Sequence, residues 1–209
     1  MRLAPDALPA LLELVIVLAV LAMALQLLRL NAWRAWLFLF PHQVRLLPEA
    51  PSEPPAPLAA WTRQLRALGF VPVGTHVQKS PLQRGTPSYD FAHPGERAFA
   101  TLYLSLRGQP RLYLLTPLVG GDAVLTDGAL ATRGGVAPPP EALLQTHRAR
   151  LEGLSPEGEF TATGRLVAGR SWFQGRGQRE IRRQSLPGLL WTLVALAMVV
   201  YLFVGGRTV

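Results

Sequence analysis

The chain has no cysteine. That excludes disulfides, thiolate nucleophiles, iron–sulfur clusters and any zinc site built with cysteine. Lysine is almost missing as well: Lys79 is the only one. It lies outside any Gly-x-x-x-x-Gly-Lys sequence, so no phosphate-cradling loop of that kind can form. No Gly-x-Gly-x-x-Gly follows a strand pattern, and no Gly-x-Ser-x-Gly elbow occurs. The four histidines, His42, His76, His93 and His147, never fall at ligand spacing with one another or with acids on one helix. No metal centre and no cofactor is therefore expected. Charged residues make up only 16% of the chain, against the usual quarter.

What is present is apolar and concentrated at the two ends. Residues 8–28 contain only Glu13 and Gln26 as strongly polar side chains, and residues 189–204 are uncharged. The second stretch is just long enough to cross a hydrocarbon core of roughly 30 Å as a helix. A cleavable signal peptide is the rival reading of the first, because residues 22–24 resemble a cleavage site. The apolar run is too long for that and carries Asp6, not a basic cluster, before it. Glu13, near the positive end of its helix, reads as an interfacial acid rather than part of an ion path.

The 209 residues carry a formal net charge of +8, nearly all of it from arginine. The basic residues flank the spans on their inner sides: Arg29, Arg34 and Arg45 after the first, and Arg176, Arg179, Arg182 and Arg183 before the second. The positive-inside rule then makes the intervening segment cytoplasmic and puts both termini outside, a multi-pass arrangement. Arginine-, alanine-, leucine-, proline- and glycine-rich usage with almost no lysine looks like a GC-rich bacterial genome, so the membrane expected is a bacterial inner membrane. Trp33, Arg34 and Trp36 read as an interfacial belt. Together with Arg176, Arg179, Arg182 and Arg183 they are the residues expected to meet anionic headgroups. The folded domain is too mildly basic for nucleic acid to be an expected partner.

Between the spans the sequence alternates order and punctuation. Residues 1–40 form the first span and its interfacial continuation. The prolines of residues 41–57 suggest a polyproline-II spacer. Residues 58–154 read as the folded domain. In it Leu58, Trp61, Leu65 and Leu68 share one helical face, and Gly69 stops that helix. A strand follows with Val71, Val73, Thr75 and Val77 on one side, and Pro72 assigns it to a sheet edge. Residues 78–95 read as a loop with a short strand near residues 89–91. The clearest alternation runs through residues 97–107 and 111–118, with aromatics on both faces of the first run. Asp127-Gly128 marks a hairpin turn. A second amphipathic helix covers residues 141–154, with His147 on or near its apolar face. Residues 155–187 form a basic juxtamembrane segment in which Phe160, Leu166, Val167, Trp172, Phe173 and Ile181 could build one or two amphipathic segments near the membrane, although its glycines weaken any helix. Residues 188–205 are the second span.

The expected fold class is α+β, with two transmembrane helices flanking a small cytoplasmic domain. That domain has an antiparallel meander of three or four strands and two amphipathic helices. The spans are expected to pack through Ala19, Ala22, Ala195 and Ala197. One cluster invites a chemical reading: Tyr89, Asp90 and His93 in a loop beside His76, where an Asp–His pair would suit acid–base work. No nucleophile accompanies it, and no catalytic residue is assigned. The chain reads as a non-catalytic interaction, scaffold or sensory protein, docking on a protein partner or on its own copies. A membrane-tethered enzyme acting on a lipid-linked or small amphipathic substrate is the alternative, as is an accessory subunit of a transporter or envelope complex.

Overall fold

A computed structural model describes residues 7–80, 85–105, 107–128 and 137–205. The chain divides into two compact units: residues 42–179, and the apolar helices up to residue 41 and from residue 180. The larger unit is built on one six-stranded antiparallel sheet in sequential order, a pure meander. Its strands are β1 (Arg45–Glu49), β2 (Val71–Lys79), β3 (Thr86–His93), β4 (Ala98–Leu104), β5 (Pro110–Pro117) and β6 (Ala123–Asp127). The fold is α+β as expected, with six strands where three or four were read.

The helices are α1 (Ala7–Leu39), α2 (Ala59–Ala67), α3 (Pro140–Leu151), α4 (Ala162–Gln174) and α5 (Arg176–Gly205). Two of them sandwich one face of the sheet. Leu58 and Leu65 from the α2 segment, with Leu143 and Leu144 from α3, bury against Phe91 and Leu102. Gly69 ends the α2 segment at φ +92°, the left-handed conformation a helix stop favours. The opposite face receives α4, whose Ala168 packs with Ala92, Phe99 and Leu115, while Trp172 closes over them. Phe99 stacks on Phe160 at 5.0 Å between centroids. Both faces of β4 are covered, but its two aromatics, Phe99 and Tyr103, lie on the same face, the one that carries Thr101, and the other face is filled by Ala100 and Leu102.

Several readings are corrected. The expected spacer contains β1, which pairs Arg45 with Lys79 and Glu49 with Thr75 along β2. Polyproline-II and an edge strand are nearly the same extended backbone, and proline is tolerated at an edge. β2 is consequently not an edge over its second half. β1 reaches only as far as Thr75, so Pro72 lies in the part β1 leaves uncovered, beside a bulge between Pro72 and Gly74. That bulge breaks the expected alternation, because an inserted residue reverses which face the following side chains take. Val73 and His76 therefore share the α4 face, which strict alternation forbids. The segment read as a loop holds the eight residues of β3; residues 81–84 lie outside the described part. The strand expected after Asp127-Gly128 also falls in undescribed residues.

Within residues 155–187, where one or two amphipathic segments weakened by glycine were considered, the structure has the regular helix α4. Gly169 is what lets it close on the sheet: a Cβ there would strike Leu46 of β1 and the Arg165 guanidinium. Close packing outweighs the roughly 1 kcal/mol of helix propensity that glycine forfeits. Gly169→Ala is accordingly expected to destabilise the domain by about 1–3 kcal/mol through overpacking. Thermal unfolding of the full chain in detergent checks it, and an unchanged midpoint would contradict this packing.

The second unit contains the apolar parts of α1 and α5. Residues Leu8–Leu39 and Arg176–Val204 are long and apolar enough to cross a membrane, and 6% and 11% of their most apolar windows are buried. A soluble core helix would be mostly buried, so these helices present apolar surface outward. Ala24 and Ala195 are fully buried, whereas Ala19, Ala22 and Ala197 are exposed. Gly188 lies so near Arg34 that any side chain there would collide with it.

Candidate functional site

The sheet register places Asp90 opposite Thr101, and Thr101 opposite Tyr113, so three polar side chains stand in a row across β3, β4 and β5. Arg165 of α4 comes down onto that row. Its Nε donates to Asp90 Oδ1 at 3.1 Å and to Thr101 Oγ1 at 3.1 Å, and its Nη2 donates to Thr101 Oγ1 at 2.9 Å and Tyr113 Oη at 2.6 Å. Thr101 in turn donates to Asp90 Oδ1 at 2.6 Å. The bulged β2 delivers His76, whose Nδ1 lies 2.5 Å from Asp90 Oδ2. A carboxylate only accepts, so the proton of that contact sits on Nδ1.

The cluster is sealed. Arg165 is 1% exposed, Asp90 4% and His76 0%. Burial pushes the Asp90 carboxyl up, but Arg165 and His76 together overcome it and hold it below the usual carboxylate range. Burial also works against the charge on Arg165, and the Tyr113 and Asp90 oxygens more than offset it. The Tyr113 phenol is raised above its ordinary value, chiefly by burial. Two polar atoms have no partner among the described residues: His76 Nε2 and Arg165 Nη1.

A second polar cluster lies on the other face. His147 of α3 is wedged between Thr116 of β5, 2.9 Å from Nε2, and Thr126 of β6, 2.8 Å from Nδ1. Thr116 donates onward to the Arg97 carbonyl at 2.8 Å. Desolvation, with the nearby Arg150 cation, depresses His147 from 6.5 to about 4. It is a core histidine, as its helix face suggested.

The structure thus brings together one pair that the sequence reading grouped and separates the rest. His76 meets Asp90, while strand alternation turns Tyr89 and His93 to the opposite face. Tyr89 joins the apolar cluster under α2 and α3. His93 stacks edge-on against Phe70 at 5.2 Å and accepts from the Glu96 backbone N–H at 3.1 Å. Arg165, Thr101 and Tyr113 were missed. The available signal was Arg165 sharing a helical face with Ala168, Gly169 and Trp172, an isolated charge on a small and apolar stripe.

The residues expected to face headgroups lie on α1 and α5. Arg34 sits over the Trp33 ring at 5.2 Å, and Trp36 packs against Phe40 at 4.8 Å. Arg176 is engaged elsewhere, bonded to Asp122 at 2.6 Å, beside the Ser171 hydroxyl that donates to the Gly121 carbonyl. Those two bonds tie the β5–β6 turn to the end of α4 and the start of α5. Arg179, Arg182 and Arg183 are exposed.

These observations define an α+β protein with a helix–sheet–helix domain and two helices apolar enough to span a membrane. Comparison of the chain with family models, curated proteins and solved structures gives no match in any of the three.

Proposed function

We propose that the chain is a two-span bacterial inner-membrane protein that presents its α+β domain to the cytoplasm for a non-catalytic binding, scaffolding or sensory role. The observation that carries the non-catalytic part is the closure of the Asp90–His76 pair. A general base must reach the proton it removes, and this one is enclosed by Arg165 and Thr101. The same enclosure weakens the tethered-enzyme alternative, since Asp90 lies within strand β3 and not in an open loop. The outward apolar surface of α1 and α5 supports insertion. The arginines between the spans support a cytoplasmic domain, with Arg179, Arg182 and Arg183 meeting anionic headgroups. Two helices make a poor conduit, so assembly with a protein partner or with further copies of the chain completes the reading.

The lack of native cysteine makes topology directly testable. Ser52→Cys is expected to resist a membrane-impermeant maleimide in intact cells and to react once they are permeabilised. Labelling from outside would reverse the orientation. Affinity purification from native membranes is expected to recover a stoichiometric protein or a second copy of the chain; a lone monomer would sink the scaffolding role.

A further inference from the structure

β1 is a terminal strand of the sheet, and its outer side meets no other strand among the described residues. Which main-chain groups face outward there follows from two prolines. Pro48 of β1 stands opposite His76 of β2, and Pro87 of β3 stands opposite Val77. Neither proline has an N–H to give β2, so the hydrogen-bonded pairs of β1 with β2 fall at Arg45–Lys79, Leu47–Val77 and Glu49–Thr75. The Leu46 N–H and the Pro48 carbonyl are left pointing out along the edge. Apart from Leu46, every residue of β1 is exposed. Arg45, Leu47 and Glu49 share one face of the strand, away from the face on which Leu46 meets Gly169. On that face Arg45 stands directly opposite Lys79, and like charges so placed oppose pairing. Arg45, Lys79 and Glu49 have no ion-pair partner among the described residues.

We propose that the β1 edge is where two copies of the chain join, strand antiparallel to strand about a two-fold axis at Leu47. Paired with itself about that residue, the run from Arg45 to Glu49 is self-complementary. Arg45 falls opposite Glu49 of the second copy, and Glu49 opposite its Arg45, at the closely spaced pairs where opposite side chains approach best. The incoming acid also stands beside the Arg45–Lys79 repulsion and offsets it. The Leu47 side chains, 43% exposed in the single chain, cover one another at the axis, and each Leu46 N–H donates to the Pro48 carbonyl of the other copy. Proline and charge on an edge ordinarily turn unrelated strands away. They admit a strand that carries base and acid in the reverse order, and the chain's own β1 does. The contact is isologous and closed, so it stops at a dimer. It rests on the assembly with further copies proposed above and gives that assembly its surface.

Leu47→Cys puts one thiol into a chain that has none. Such antiparallel partners have Cα atoms about 4.5 Å apart, within the range a disulfide spans. Mild oxidation of the full-length variant in non-ionic detergent is therefore expected to give a cross-linked dimer. Val167→Cys, at an exposed position of α4, is expected to remain uncross-linked. Arg45→Glu and Glu49→Arg each set like charges opposite one another at both pairs. Each is expected to weaken self-association by about tenfold in sedimentation equilibrium. Mixing the two single variants, or combining Arg45→Glu/Glu49→Arg in one chain, is expected to restore it. These side chains are exposed, so a retained cooperative unfolding transition shows that the domain is intact. A wild type that is monomeric at every concentration, cross-linking of Val167→Cys as efficient as that of Leu47→Cys, or charge reversals that do not compensate would overturn the proposal. A chain that self-associates without cross-linking through position 47 also overturns it but leaves assembly with copies standing, so the two failures are distinguishable.

Discussion

Arg165→Met is expected to cost the domain about 3–5 kcal/mol, the largest loss from any single replacement considered, because it leaves the Asp90 carboxylate buried without its cation. The methionine replaces the length of the side chain but none of its donors. Thr101 and Tyr113 lose the guanidinium that each accepts from, and His76 becomes the remaining counter-group of a carboxylate held in the core. Thermal or denaturant unfolding of the full chain reads the effect. Pairing the change with Asp90→Asn removes the stranded charge, so Arg165→Met/Asp90→Asn is expected to be more stable than Arg165→Met alone. The comparison is informative because a buried ion pair contributes little net stability against an apolar replacement, while half of one is strongly unfavourable. A double variant no more stable than the single one would show that the guanidinium acts through packing alone.

Acid is expected to weaken the domain in two separable windows. His147 is depressed from 6.5 to about 4, so protons bind preferentially to the unfolded chain between those values. Its contribution, about 3 kcal/mol, is complete above pH 6.5 and is lost as pH falls toward 4, with about 2 kcal/mol gone by pH 5. Asp90 acts lower down. Its folded value lies below 3.8, so its contribution is present above that pH and is lost as pH falls further. His147→Gln keeps hydrogen-bonding groups near Thr116 and Thr126 but does not titrate. Its stability is expected to be nearly flat from pH 7 to 5, while the loss below pH 4 remains. A wild-type slope that persists in the glutamine variant would place the titrating group elsewhere.

Both effects rest on how the two faces of the sheet are filled. Each face carries an apolar cluster and one hydrogen-bonded polar group delivered by a helix: Arg165 from α4 and His147 from α3. A row of apolar residues would tolerate sliding of helix over sheet. The directional bonds to Thr101, Tyr113, Thr116 and Thr126 do not, since displacement leaves buried donors unpaired.

The elements legible in the sequence are those whose signal is local. The apolar helices, the α2 helix with its Gly69 stop, the alternation of β4 and β5 and the amphipathic α3 all repeat within a few residues, and periodicity is a property of the chain itself. The sequence by itself therefore determined the two apolar ends, the α+β class and the absence of cysteine and phosphate-loop chemistry. Only the tertiary structure decided the rest. β1 has the composition of a spacer and becomes a strand because β2, with Arg45 facing Lys79, offers it an edge to pair with. The β2 bulge is invisible in a run of valines, yet it is what turns His76 toward Asp90. α4 exists against its glycines because Gly169 admits Leu46 at close range. Arg165 is stabilised by partners 52 to 75 residues away in sequence. A charged side chain can be buried only where the whole chain has already brought its counter-charge and acceptors to one point, and no local window contains that information.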